Sequence, residues 1–130
     1  MLADPEGRAF CVIPPGNNFL AGCGFLGEVS CDGSREVGVF WRDALHWELV
    51  WDEDGETAVQ APQGGTKLSW GGPPIEPKTG RSRQRFVLSA ADPSVEAARL
   101  AALGAAVLSE TEDEIELADP DGHEFSVRRS

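Results

Sequence analysis

The sequence predicts an α+β fold in which two βαβββ modules form a curled mixed sheet around a cleft, with an extra N-terminal β-strand. Three observations lead to this prediction. Each half of the chain carries one apolar stripe with helical spacing. One short apolar segment precedes each stripe and three follow it. A proline- and glycine-rich linker, residues 72–82, separates the halves into modules 25–71 and 83–127.

The first module begins with a predicted strand at Phe25–Cys31. The stretch Asp32–Ser34 then offers a helix N-cap. The residues after it place large apolar side chains on one helical stripe, namely Val37, Phe40, Trp41, Ala44 and Leu45. Turn sequences separate the three segments that follow, which we predict as strands: Trp47–Trp51, Glu56–Ala61 and Thr66–Trp70.

The second module repeats this order, starting with a predicted strand at Gln84–Ser89. Asp92 is an N-cap candidate because proline follows it, and Gly104 is suited to end the helix. The apolar stripe predicted for this helix is Val95, Ala98, Ala102 and Leu103. Three strands are then predicted, the last two joined by the turn sequence DPDG: Ala105–Ser109, Glu114–Ala118 and His123–Val127.

The start of the chain repeats its end, since LADPEGRAFCV at Leu2–Val12 returns as LADPDGHEFSV at Leu117–Val127. The first copy predicts a turn at Asp4–Gly7 and a strand at Phe10–Ile13. A strand needs a hydrogen-bonding neighbour. We therefore expect Phe10–Ile13 to add to a sheet edge, either in its own chain or in a partner chain.

Composition narrows the classes of partner. The chain has 22 acidic and 11 basic residues, and its formal net charge of −11 disfavours nucleic acid and anionic membranes. No apolar run approaches the roughly 20 residues that cross a bilayer, and the acidic residues soon after Met1 do not fit a signal peptide. Three cysteines without CxxC spacing fit reduced thiols. We therefore expect a cytoplasmic protein.

Four stretches, together with the module order, carry a resemblance to a known family: FWRDALHWELVWDEDGE, GGTKLSWGGPP, EAARLAALGA and ADPDGHEF. The chain resembles the vicinal oxygen chelate superfamily of glyoxalase I, bleomycin-resistance proteins and extradiol dioxygenases, and most of all its bacterial glyoxalase-like branch. The resemblance assigns residues 25–130 to a glyoxalase-like domain. It also makes residues 1–24 look like the tail of a preceding domain of the same type, followed by a linker.

Metal-dependent members of this superfamily take their ligands, mostly His, Glu or Gln, from the first and last strands of each module. Position by position, the resemblance places this site on Leu26, Glu28, Ser69 or Trp70, Arg85 and Ser126. Leucine and arginine do not bind divalent metals, and serine is a poor ligand. We therefore expect no metal site and no cofactor, and interpret these six residues as ligand-binding candidates.

Individual residues leave alternatives open. Trp70 ends a strand beside the linker, where it faces either a ligand or the core. Arg85 faces the cleft and needs a partner, which is Glu28, an anionic ligand or another acidic group in a structural salt bridge. His46 is expected to cap the first helix. His123 and Glu124 are adjacent, and strand alternation predicts that they do not line one face together.

The function implied by the resemblance is small-molecule binding without a metal ion, in the sheet cleft, by a homodimer of the glyoxalase and bleomycin-resistance type. One alternative is a lyase or dioxygenase that uses a divalent metal, with Glu28 as the remaining ligand. A second alternative is an interaction module that pairs through its N-terminal strand. No nucleophile elbow, P-loop or dinucleotide motif suggests other chemistry.

Overall fold

A computed structural model describes all 130 residues. Two helices and ten strands follow one another in chain order. They are β1 (Leu2–Ala3), β2 (Ala9–Phe10), β3 (Glu28–Cys31), α1 (Arg35–Leu45), β4 (Glu48–Glu53), β5 (Glu56–Gln60), β6 (Lys67–Trp70), β7 (Val87–Ala90), α2 (Pro93–Leu103), β8 (Ala106–Glu110), β9 (Glu114–Ala118) and β10 (Glu124–Arg129). Neither helix is long and apolar enough to cross a membrane.

The two predicted modules have the same topology. Their four-stranded sheets have the strand orders β3-β6-β5-β4 and β7-β10-β9-β8. In each sheet the first strand of the module runs parallel to the last, and all other neighbours are antiparallel. The α+β class and the paired βαβββ modules are therefore confirmed.

Both helices begin at the predicted caps. The Ser34 hydroxyl accepts a hydrogen bond from the backbone N–H of Val37, and the Asp92 carboxylate accepts from the backbone N–H groups of Ser94 and Val95. These bonds satisfy N–H groups that have no partner within the helix. At the other ends, His46 closes α1 in the left-handed conformation, as predicted, and Gly104 closes α2.

The apolar stripe predicted for α2 is wrong. Val95 is 66% exposed, and Leu103 is also exposed. The buried residues of α2 are Pro93, Ala97 and Leu100. Alanines on every side of α2 leave its periodicity weak, so a tertiary contact sets its rotation. Ala97 and Leu100 pack into the hydrophobic core, and Arg99 donates hydrogen bonds to the carbonyls of Asp43 and Ala44 at the end of α1.

One hydrophobic core serves both modules, and Trp41 of α1 lies at its centre. The Trp41 ring packs edge-on against Phe125 of the second module at 4.8 Å and against Phe86 at 5.2 Å. It stacks on Trp70 of its own module at 6.4 Å with an interplanar angle of 6°. The modules therefore share aromatic contacts that hold the groove between them.

The N-terminal strand does not add to either sheet of its own chain, so of the two expected arrangements only pairing with a partner chain stays a prediction. β1 and β2 pair with each other in a separate two-stranded hairpin, and residues 11–13 continue without regular structure. The predicted turn at Asp4–Gly7 is present, with the Gly7 N–H donating to the Asp4 carbonyl. The turn closes the chain on itself, so β2 meets its hydrogen-bonding needs locally.

This N-terminal hairpin has the geometry of the β9–β10 hairpin. Leu2 pairs with Phe10 as Leu117 pairs with Phe125. The Asp4 carboxylate accepts hydrogen bonds from the backbone of the residues two and four positions on, as does the carboxylate of Asp119. The two copies differ at four positions, which are Glu6 and Asp121, Arg8 and His123, Ala9 and Glu124, Cys11 and Ser126.

The environments of the two hairpins differ. Leu117 and Phe125 are buried in the shared core, whereas Leu2 is 54% exposed and Phe10 is 47% exposed. The residues that pack into the core in the second copy are thus retained in the first without anything to cover them. The first hairpin carries the packing surface of a module but lies outside both modules.

Candidate functional site

Each sheet has one face against a helix and one face turned away from it. In β6, Leu68 and Trp70 belong to or pack against the core, so the alternate residues Lys67 and Ser69 face the other way. In β10 the same alternation places Phe125 and Val127 in the core. The opposite face of that strand presents Glu124 and Ser126. These faces away from the helices carry the polar side chains of the site.

The first cavity lies between the two modules, beneath the linker, and has a volume of about 680 Å³. Its walls come from the end of β3, from residues 76–79 and 81–84 of the linker and the start of the second module, and from the β9–β10 turn and the start of β10. Acidic, basic and aromatic side chains line the cavity, among them Asp32, Trp70, Lys78, Arg83, His123 and Glu124. The cavity is mainly polar with an aromatic edge.

Asp119 and Cys31 form the deepest polar part of the first cavity. The Asp119 carboxylate accepts a hydrogen bond from the Trp41 indole N–H at 3.3 Å, and burial raises the pKa of this carboxyl. Burial also raises the pKa of the Cys31 thiol, to about 12. Cys31 is therefore a neutral thiol at physiological pH and does not serve as a thiolate nucleophile.

His123 and Glu124 both line the first cavity, so the prediction that they would not share a face is wrong. The Ser82 hydroxyl lies 3.0 Å from His123 Nδ1, and the Ser82 backbone N–H donates to Glu124 Oε2 at 2.9 Å. Strand alternation does not apply to this pair, because His123 precedes the first residue of β10.

Arg85 lies just before β7 and contacts two side chains of the second sheet. Its guanidinium forms an ion pair with Glu116 at 2.7 Å and donates to the Ser126 hydroxyl at 3.1 Å. Of the alternatives for Arg85, the structure shows the structural salt bridge, with Glu116, and not a pairing with Glu28, because Glu28 lies on the other sheet and accepts a hydrogen bond from Ser30. Arg85 is thus occupied within its own module.

The second cavity, of about 430 Å³, lies on the face of the first sheet that is turned away from α1. Glu28 and Ser69 line it from the sheet, and Phe19 and Leu20 line it from the segment before β3. The Oε2 atom of Glu28 is buried and has no hydrogen-bond partner. Two of the six candidate residues, Glu28 and Ser69, therefore meet here.

The structure places the other candidates in different surroundings. Trp70 is only 1% exposed and packs into the core, with one edge on the first cavity. Leu26 is exposed and lines neither cavity, because β3 begins two residues after it. Arg85 and Ser126 contact each other but line neither cavity. The six candidates therefore do not converge on one point.

A family match decides what kind of domain this is. The family model described as Glyoxalase-like domain matches residues 28–128. The chain belongs to this glyoxalase-like family. No curated protein matches the sequence. The resemblance read from the sequence is confirmed at the level of the superfamily, and the matched residues cover both modules of the glyoxalase-like domain but not the N-terminal hairpin.

Solved structures share the fold of this glyoxalase-like domain. A glyoxalase-related enzyme from Fulvimarina pelagi is 14% identical, with a TM-score of 0.62 over 79% of this chain and 86% of that one. TnmS3, an antibiotic binding protein from Streptomyces sp. CB03234, is 21% identical, with a TM-score of 0.57 over 82% and 95%. The fosfomycin resistance protein FosX from Listeria monocytogenes is 14% identical, with a TM-score of 0.57 over 79% and 88%.

The side chains of this glyoxalase-like domain do not fit a divalent metal ion. No three His, Cys, Asp or Glu side chains are grouped so that they could hold one. At the superfamily's ligand positions, the Arg85 guanidinium lies against Ser126, and a permanent cation opposes metal binding at that point. On the other sheet, Glu28 has Ser30 and Ser69 rather than histidine beside it. We therefore assign no chemical step to a metal.

Sequence reasoning missed Lys78, Glu116 and Glu124, which form the ionic contacts of the site. A signal for Glu116 was present, because it alternates with the core residues Ile115 and Leu117 and must face the other side of β9. No local signal could place Lys78, because the path of an irregular linker depends on long-range contacts.

Proposed function

We propose that this glyoxalase-like protein binds a small molecule without a metal ion, in the first cavity, as bleomycin-resistance proteins do. One observation carries the metal-free part of the proposal: the position that the resemblance expects to hold a histidine ligand is Arg85, already bound to Glu116 and Ser126. This arrangement leaves the fold with a cleft and without the donor set that metal-dependent catalysis requires.

The first cavity supports binding by its size and its walls. Its volume of about 680 Å³ lies within the roughly 300–1,000 Å³ of small-molecule sites. Trp41, Trp70 and Phe86 offer aromatic edges, while Arg83 and Gln84 offer hydrogen-bond donors. TnmS3, whose solved structure shares this fold, is an antibiotic binding protein.

Metal analysis separates binding from the metal-dependent alternative. Protein purified without chelators should contain only substoichiometric nickel, zinc, iron or manganese. Added metal should not raise its melting temperature, because a metal that binds the folded state would stabilise it. A stoichiometric metal ion would overturn the proposal and favour a lyase or dioxygenase.

Tryptophan fluorescence tests binding directly. Titration with a panel of aromatic and glycopeptide compounds should change the emission of Trp70, which borders the first cavity. Trp70→Phe should reduce the response and leave the part that Trp41, in the same cavity, contributes, whereas the matched Trp47→Phe, at a position outside both cavities, should keep the full response. The proposal fails if no compound in the panel changes the emission, or if the response is lost with Trp47 instead.

A second candidate function is the pairing of two copies of the chain through the N-terminal hairpin. We propose that the protein is a homodimer that forms in this way, and that it is cytoplasmic. The hairpin favours this because Leu2 and Phe10 repeat a buried packing surface while remaining about half exposed. Deleting residues 1–15 should convert the dimer to a monomer in sedimentation analysis. An unchanged dimer with an unchanged melting temperature would show that the hairpin has no such role.

A further inference from the structure

The linker covers the first cavity with few main-chain attachments. At one end, the N–H groups of Gly71 and Gly72 donate to the carbonyls of Cys31 and Gly33. At the other end, the Phe86 carbonyl accepts from Ser126. Between these anchors, residues 73–85, which we call the strap, make no main-chain to main-chain hydrogen bond. Segments of this kind open at low free-energy cost.

Glu124 holds the strap down with both carboxylate oxygens. Its Oε1 atom forms an ion pair with Lys78 at 2.8 Å, and its Oε2 atom accepts from the backbone N–H of Ser82 at 2.9 Å. Glu124 is 8% exposed and is the first residue of β10, so its position is fixed by the sheet. The hydrogen bond from Lys78 and the N–H of Ser82 lower the pKa of this carboxyl.

The first module has an equivalent arrangement with a different kind of contact. Lys67, which opens β6 as Glu124 opens β10, donates to the Phe19 carbonyl in the segment above the second cavity. That segment also packs by apolar contact, since the Phe19 ring lies edge-on to Trp51 at 5.1 Å. The strap has no such anchor, and its large apolar residue, Ile75, is exposed.

We propose that the strap is a lid over the first cavity and that Glu124 is the latch that keeps it closed. The lid regulates entry to the ligand site, so this inference rests on the proposed function for its purpose. Opening breaks the two contacts to Glu124, from Lys78 and Ser82. It also breaks the other side-chain contacts of the strap, which include those of Arg81 and Arg85 with Glu116, Ser82 with His123 and Gln84 with Cys31. It bares Trp41 and Asp119, which line the cavity beneath.

Trypsin reports the opening, because Arg81 and Arg83 lie within the strap. When opening is fast relative to cleavage, the rate follows the open population. Replacing one charge-assisted hydrogen bond should raise that population about tenfold, so Glu124→Gln should be cut about tenfold faster at these sites. The matched Glu114→Gln removes an ion pair to Arg128 in the same sheet, away from the strap, and should cleave at the wild-type rate.

Cleavage at Arg42 and Arg99, in the two helices, monitors global unfolding in the same digest. Strap cleavage that rises without helix cleavage supports the lid. Equal rises at all sites, or no rise, overturn it. If Glu124→Gln does not fold, Lys78→Met provides the same comparison because the trypsin sites at Arg81 and Arg83 remain.

Exchange of the Trp41 indole N–H, followed by NMR, reports access to the cavity itself. The Trp41 indole N–H donates a hydrogen bond to the Asp119 carboxylate beneath the strap. Its exchange should be about tenfold faster in Glu124→Gln. When the strap opens and closes faster than the proton exchanges, the exchange rate is proportional to the fraction of molecules with an open strap. Unchanged exchange would overturn the lid. Neither assay uses a ligand, so failure of the lid and failure of small-molecule binding are distinguishable.

Discussion

Phe125→Ala is expected to lower the free energy of unfolding by about 3–5 kcal/mol, the usual cost of removing a buried phenylalanine. Phe125 is buried between the modules, with its ring 4.8 Å from Trp41 and 6.2 Å from Phe40. Truncation would leave a cavity against both rings. The shared core would then lose the contact that joins β10 of the second module to α1 of the first.

The chain contains its own control for this substitution. Phe10 occupies the same register position in the N-terminal hairpin, with the same turn beside it. Because nothing in its own chain covers Phe10, Phe10→Ala should change the free energy of unfolding by less than about 1 kcal/mol at a protein concentration low enough to leave the hairpins unpaired. Urea denaturation of both variants measures the difference, and Phe125→Leu offers a milder change if the alanine variant does not fold. Equal effects at the two positions would contradict the burial assigned to them.

This comparison also shows where sequence reasoning stops. The repeated sequence segment predicted the turn at Asp4–Gly7, because its proline, its glycine and its Asp side chain determine a tight turn locally. The repeated sequence alone could not show that Phe125 is buried and Phe10 is exposed. Burial depends on whether a helix lies above the hairpin, and that is a long-range property.

The candidate site likewise has features that the sequence could predict and features that it could not. Module order follows from periodicity and the helix caps from residue type, and the resemblance selected Glu28 and Ser69, which line one cavity. The partner of Arg85 was not, because Glu116 is 31 residues away and reaches it only through the pairing of β9 with β10. Alternation nevertheless carries information that a motif search does not use, since it places Glu116 on the correct face of its strand.

Gly38→Ala is expected to destabilise the protein by about 3 kcal/mol, even though alanine favours a helix by about 1 kcal/mol over glycine. Gly38 is buried in α1 against β5, and an added Cβ would lie 2.0 Å from Thr57 Oγ1 and 2.6 Å from Thr57 Cβ. Rotation about χ1 would move Thr57 Oγ1 but not Thr57 Cβ, which is fixed to the strand, so the 2.6 Å contact would remain. The helix would have to move away from the sheet.

A double-mutant cycle with Thr57→Gly tests whether that contact is the cause. The Thr57 hydroxyl is buried without a hydrogen-bond partner, so its removal forfeits no polar contact. Gly38→Ala should cost at least about 1.5 kcal/mol less in the Thr57→Gly background, since contacting residues couple by about 0.5–3 kcal/mol. Equal costs in both backgrounds would rule out the close approach. A displaced α1 would also carry Trp41, one turn beyond Gly38, away from Asp119, so the near-ultraviolet circular dichroism of the single variant should change with its stability.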